Sequence, residues 1–214
     1  MPTYNDALST YISQNFAHED DVLIRIRQGI AENGLPQISI KPEEGRFLQF
    51  LVAANGSKLA LEIGTLGGYS GTWIARGLAD GGKLITIEKE ARHVAIAREH
   101  FRLAQVSDRV EVIEGDALGL LRSMTEEGPF DFIFIDAEKE SYPKFLEWAI
   151  NNLNLGGIVT AHNAFLHGDV IEGSDRVERV AALRAFNNQL ASDPRFVSTI
   201  FPAGDGLAFG LLRE

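Results

Sequence analysis

The chain has 214 residues, no cysteine, a formal net charge of −10, and 45% hydrophobic against 23% charged residues. These figures fit one globular domain with a sizeable core, and they exclude disulfides and thiolate metal sites. The acidic balance disfavours a broad nucleic-acid footprint. No run of about 18 apolar residues offers a membrane span. The first residues lack the basic and apolar regions of a signal peptide. A cytoplasmic protein without membrane contact is the expectation.

Residues 4–16 and 21–33 carry the pattern of two amphipathic helices, the second stopped by Asn33-Gly34 and Pro36. Pro42-Glu43-Glu44 opens a third, with proline in the first turn and acids near the positive end of the helix dipole. Its apolar residues Phe47, Leu48, Leu51 and Val52 recur at helical spacing, and Gly56 ends it. From Lys58 the pattern alternates. Short apolar strands are expected at 59–63, 84–87, 110–113, 132–135 and 158–161, with helices at 69–78, 91–104, 117–124 and 142–152 between them. Strands separated by helices imply right-handed βαβ crossovers and a mainly parallel sheet. A further helix over 177–190 precedes two apolar runs, 196–201 and 207–212, split by Pro202-Ala203-Gly204-Asp205-Gly206. That spacing predicts a closing hairpin and an antiparallel strand. The whole, 1–214, reads as a single domain, with a helical extension over 1–40 and a core over 41–214.

Ligands of open α/β sheets bind beyond the carboxyl ends of the strands, so the residues that close each strand are the candidates for chemistry. Glu62-Ile63-Gly64-Thr65-Leu66-Gly67-Gly68-Tyr69-Ser70 joins the first strand to its helix, where glycines let a backbone approach a ligand and free N–H groups face it. The spacing is G-x-x-G-G, not the G-x-G-x-x-G of dinucleotide binders, which disfavours a nicotinamide oxidoreductase. Glu88 closes the second strand 24 residues beyond Gly64, where an acid can accept both hydroxyls of a ribose. Asp116 and Ala117 follow the third strand, the acid placed for an adenine amino group and the alanine leaving room for a ring. The fourth strand, Phe132 to Ile135, ends on Asp136, and Lys139 follows three residues later. An acid that can hold a metal beside an amine that can take a proton is a reagent pair.

These segments together resemble the class I S-adenosylmethionine-dependent methyltransferases, and more closely the cation-dependent O-methyltransferases of the catechol and caffeoyl-CoA type. The likeness rests on Pro42-Glu43-Glu44-Gly45-Arg46-Phe47-Leu48, Leu61-Glu62-Ile63-Gly64-Thr65 with Gly68-Tyr69-Ser70, Phe134-Ile135-Asp136-Ala137-Glu138-Lys139, and Gly204-Asp205-Gly206-Leu207. It implies a Rossmann-like α/β fold: a seven-stranded, mostly parallel sheet with helices on both faces, the last strand antiparallel and extra N-terminal helices, usually as a homodimer. By resemblance Glu62, Gly64, Thr65, Tyr69, Ser70, Glu88, Asp116, Ala117 and Asp136 would line the S-adenosylmethionine site. Lys139 would be the general base, beside Asp136 as first ligand of a divalent metal cation.

The resemblance places two further metal ligands in an Asp-Asn pair after the fifth strand; here that pair is His162-Asn163. Imidazole suits Mn²⁺, Fe²⁺, Co²⁺ or Zn²⁺, whereas Mg²⁺ favours oxygen. Phe165-Leu166-His167-Gly168-Asp169 also departs from the Leu-Trp-Ser-Gly-Arg common in relatives, so acceptor preference does not carry over. The expected reaction is methyl transfer to a hydroxyl of a small acceptor with vicinal hydroxyls. Two other readings stand beside it: methylation of a tRNA hydroxyuridine, which the acidic total disfavours, and silent S-adenosylmethionine binding, which intact Asp136 and Lys139 disfavour.

Overall fold

The computed structural model describes residues 4–214; residues 1–3, the start of the expected extension, lie outside the described residues. Helix α1 (Asp6–Asn15) begins two residues later than the pattern implied, because the Asn5 side chain caps it by accepting from the N–H groups of Ala7 and Leu8. Helix α2 (Asp21–Glu32) is capped by Asp20 on the Leu23 N–H at 2.9 Å. In α3 (Pro42–Ala54) the Glu44 carboxylate reaches back to the Lys41 N–H at 2.7 Å.

The alternating region follows as β1 (Leu59–Ile63), α4 (Tyr69–Gly77), β2 (Lys83–Glu88), α5 (Ala91–Leu103), β3 (Val110–Glu114), α6 (Ala117–Glu127), β4 (Phe130–Ile135), α7 (Tyr142–Ile150) and β5 (Leu153–Ala161). A 3₁₀ turn (Leu166–Gly168) and a short helix α8 (Asp169–Glu172) lead to α9 (Glu178–Ser192), β6 (Phe196–Phe201) and β7 (Leu207–Leu212). The seven-stranded sheet has the order β3-β2-β1-β4-β5-β7-β6, and β7 runs antiparallel to both of its neighbours. The fold expected from the sequence is therefore the fold observed.

Two features escaped the sequence. Strand β5 starts at Leu153, where the pattern showed a strand only from 158, because Gly156-Gly157 carry no side chain to declare it. The turn and α8 after β5 are too short to show a period.

Side chains alternate across the sheet, so each strand feeds two cores. Phe132 and Phe134 join one with Ile26, Ile30, Leu48, Trp73 and Phe101, beneath α2 to α5. Ile133 and Ile135 join the other with Phe145, Leu146, Leu183 and Phe186, beneath α7 and α9. Fully burying a phenylalanine or isoleucine contributes about 1.5–3 kcal/mol, so β4, apolar on both faces, anchors the centre. Registers Ile63↔Ile87, Ile63↔Ile135 and Ile135↔Ala161 align the carboxyl ends of β1, β2, β4 and β5 along one edge. The sheet order reverses between β1 and β4, which opens the crevice where such folds bind ligands.

Candidate active site

A cavity of about 730 Å³ lies over that edge, lined by the ends of β1 to β5 and by the segment before α3. Its floor depends on Gly64, at φ +97°, where any Cβ would collide with the Asp136 carbonyl oxygen; only glycine lets the β1 and β4 ends approach so closely. Gly68, also left-handed at φ +80°, caps α4 and packs on the Phe101 ring.

Of the residues expected around the cofactor, Gly64, Thr65, Tyr69, Ser70, Glu88, Asp116, Ala117 and Asp136 all line the cavity. Glu62 does not. It is fully buried behind the loop, accepting from Ser70 Oγ at 2.5 Å and Thr86 Oγ1 at 2.7 Å, and burial pushes its carboxyl up to about 8. The family resemblance placed Glu62 at the cofactor site; the alternation of β1 points it into the protein instead. Glu88 has a second task besides facing the cavity: its Oε2 accepts from the N–H groups of Thr65 at 3.3 Å and Leu66 at 2.8 Å, tying the glycine loop to β2. Tyr69 gives its hydroxyl to Glu19 at 2.8 Å, and Asp116 caps α6 through the Gly119 N–H at 2.9 Å.

At the β4 and β5 ends four titratable side chains, Lys139, Asp136, His162 and Glu44, follow one another in contact. Lys139 Nζ donates to Asp136 Oδ1 at 3.1 Å, His162 Nδ1 lies 3.2 Å from Asp136 Oδ2, and His162 Nε2 donates to Glu44 Oε1 at 3.1 Å. The ring is not aimed along a hydrogen bond at Asp136, so Nδ1 is buried with an electrostatic neighbour and no directed partner. Burial would raise the Asp136 carboxyl, but His162 and Lys139 outweigh it and hold it well below the usual carboxylate range. Burial would lower His162, but Asp136 and Glu44 lift it to about 10. Lys139 Nζ also donates to the Ala137 carbonyl at 3.1 Å and to Tyr142 Oη at 2.6 Å. Tyr142 Oη in turn faces the Ile135 and His162 carbonyls, each at 3.2 Å.

The structure thus brings Asp136, Lys139 and His162 together. Asn163, at φ +58°, lines the same cavity and donates from Nδ2 to Asp205 at 2.9 Å. Among the described residues no group of three or more His, Cys, Asp or Glu side chains is placed to hold a metal ion. Sequence reasoning treated Glu44 as a helix-opening acid and Tyr142 as a helix start, and missed both as neighbours of the site. Glu44 meets His162 only through the packing of α3 against the strand ends, whereas Tyr142 lies three residues beyond Lys139 and could have been read from that spacing.

Comparison with known proteins places the chain in a family. The model of a family described as O-methyltransferase matches residues 12–213. A catechol O-methyltransferase of Niastella koreensis is 35% identical over 97% of each chain. One of Mycobacterium tuberculosis is 37% identical over 84% of this chain and 83% of its own. The crystal structure of an O-methyltransferase from Bacillus cereus in complex with SAH superposes with a TM-score of 0.91 at 37% identity, covering 97% of each chain. A family model spanning nearly the whole chain, relatives above 30% identity and a superposed structure of the same fold agree: this chain belongs to the O-methyltransferase family.

Proposed function

We propose that this protein transfers the methyl group of S-adenosylmethionine to one hydroxyl of a small catechol-like acceptor, with a divalent cation held by Asp136, His162 and Asn163. The observation that carries the reading is Asp136 at the crevice, with Lys139 on one carboxylate oxygen and His162 beside the other, in the same cavity as Glu88 and Asp116. The SAH-bound relative supports the cofactor, and the two catechol O-methyltransferases support the acceptor class.

The donor chemistry fits a metal ion. His162 Nδ1 is a buried nitrogen without a directed partner, 3.2 Å from Asp136 Oδ2. Asp205 takes the Asn163 amide N–H, which leaves the amide oxygen as a third donor. One carboxylate, one imidazole and one amide favour Mn²⁺ or Co²⁺ over Mg²⁺. A bound dication would supply the Lewis acidity that lets a phenol ionise. Lys139 is the proposed proton acceptor. Its three neighbours, Asp136, Ala137 and Tyr142, match the three N–H donors of an ammonium, so it must cede one proton before taking another from the acceptor. The remaining contribution is alignment of oxygen and methyl within the crevice.

The test incubates chelator-treated protein with S-adenosylmethionine, a panel of catechols and tRNA carrying a hydroxyuridine, with Mn²⁺, Co²⁺ or Mg²⁺ added back. Methyl ethers of catechols, made best with Mn²⁺ or Co²⁺, are expected. Full activity in excess EDTA refutes the metal, and methylation of tRNA alone refutes the acceptor class. One observation favours a metal-free second reading: both His162 nitrogens stand against carboxylates, which also suits an imidazolium, and the ring's pKa near 10 agrees with it. In that case His162 supplies the positive charge and EDTA has no effect.

We also propose a homodimer through the N-terminal region. Tyr11 and Phe16 at α1 are 58% and 67% exposed with ring centroids 6.5 Å apart, and Phe50 on α3 is 62% exposed, apolar surface that helices commonly bury against a second subunit. Light scattering should give twice the chain mass of 23.5 kDa. A monomer at micromolar concentration would refute it.

A further inference from the structure

Glu44 sits on the first turn of α3 and is only 1% exposed, yet it faces the site from the opposite side to Asp136. Its two oxygens are divided: Oε2 accepts from the Lys41 N–H at 2.7 Å, and Oε1 accepts from His162 Nε2 at 3.1 Å. Gly204, in the hairpin before β7, closes the other side; at φ +58° any Cβ there would collide with the carboxylate. The adjacent Glu43 takes no part, because Tyr4, Ser9 and Ser13 all give it their hydroxyls. Two neighbouring buried acids therefore have separate tasks, Glu43 binding α1 to α3 and Glu44 binding α3 to the histidine.

We propose that Glu44 is a positioning residue for metal binding, an inference that rests on the metal reading above. By accepting the Nε2–H it fixes the tautomer and the ring plane of His162, so that Nδ1 is the nitrogen presented beside Asp136. Ligating histidines generally donate their other N–H to such an acceptor, and losing that partner costs roughly 10–100-fold in metal affinity. The pairing needs the imidazole N–H, which an aspartate at position 162 would not supply.

The test measures Mn²⁺ affinity of chelator-stripped protein by the electron paramagnetic resonance of free Mn²⁺, for the parent, Glu44→Gln, His162→Asn and the double variant. Visible spectra of the Co²⁺ forms are recorded alongside. Glu44→Gln should weaken Mn²⁺ binding about 10–100-fold and alter the Co²⁺ spectrum, while calorimetric affinity for SAH stays within about threefold. In the His162→Asn background the same change should cost no more than about threefold, because Glu44 acts through the ring. Unchanged Mn²⁺ affinity in Glu44→Gln, or an equal loss with and without His162, overturns the positioning role and leaves the metal reading intact. A parent that binds no Mn²⁺ overturns the metal reading itself, and this role with it. Should Glu44→Gln not fold, Glu44→Asp, which keeps the charge but withdraws it from Nε2, is measured against the same outcomes.

Discussion

Glu62→Gln should make the protein more stable above neutral pH and leave cofactor binding nearly untouched. The carboxyl is fully buried, and burial, with Asp136 and Glu88 adding to it, lifts its pKa from 4.5 to about 8 against the hydroxyls of Ser70 and Thr86. Between those two values the unfolded chain has lost this proton while the native state keeps it. Each pH unit in that window therefore costs the fold about 1.4 kcal/mol, and above about pH 8 the loss is complete at roughly 4–5 kcal/mol. Glutamine is neutral at every pH and removes this slope. Its amide donates where the protonated carboxyl's O–H does, but the second amide N–H has no partner, at a cost of about 1 kcal/mol. Urea unfolding should then show Glu62→Gln within about 1 kcal/mol of the parent at pH 5 and roughly 2–4 kcal/mol more stable at pH 8.5. Equal differences at the two pH values would refute the buried, proton-retaining carboxyl. Because Glu62 lies outside the cavity wall, calorimetric affinity for S-adenosylmethionine should stay within about threefold; a loss above tenfold would restore a direct contact.

Lys139→Ala should lower turnover about 10²–10⁴-fold with little change in cofactor affinity, since it removes a proton acceptor; equal losses in both would make it a binding residue. Glu88→Ala should weaken S-adenosylmethionine binding more than tenfold, because the same carboxylate faces the cavity and holds the Thr65 and Leu66 N–H groups; calorimetry showing unchanged affinity sinks that assignment. Gly64→Ala imposes a left-handed alanine, about 1–2 kcal/mol, in addition to the collision with the Asp136 carbonyl. A drop in Tm of at least about 4 °C is expected, and an unchanged Tm would mean that the strand ends can separate freely.

Local patterning settled the architecture. Apolar runs such as Phe132–Ile135, separated by helical segments of known hand and closed by a hairpin, admit few arrangements other than a parallel sheet ending on an antiparallel strand. Asp136 and Lys139 were legible as a pair for the same reason, since both lie within one strand end and the turn after it. The direction of Glu62 is contained in the period of β1: with Ile63 in one core and Ala60 in the other, Glu62 shares the Ala60 face and is enclosed beneath α4.

Which partners the charged groups would find lay beyond any local pattern. His162 meets Glu44 across 118 positions of chain, and Asn163 meets Asp205 across 42. A sequence states that a carboxylate exists and which element carries it. Whether it is solvated, caps a helix or holds a histidine depends on which elements pack against that one, and this is decided by burial summed over the whole core. The amino-acid sequence thus determined the sheet, the crevice, the Asp136–Lys139 pair and, through the period of β1, the inward direction of Glu62, while tertiary packing alone set Glu44 against His162.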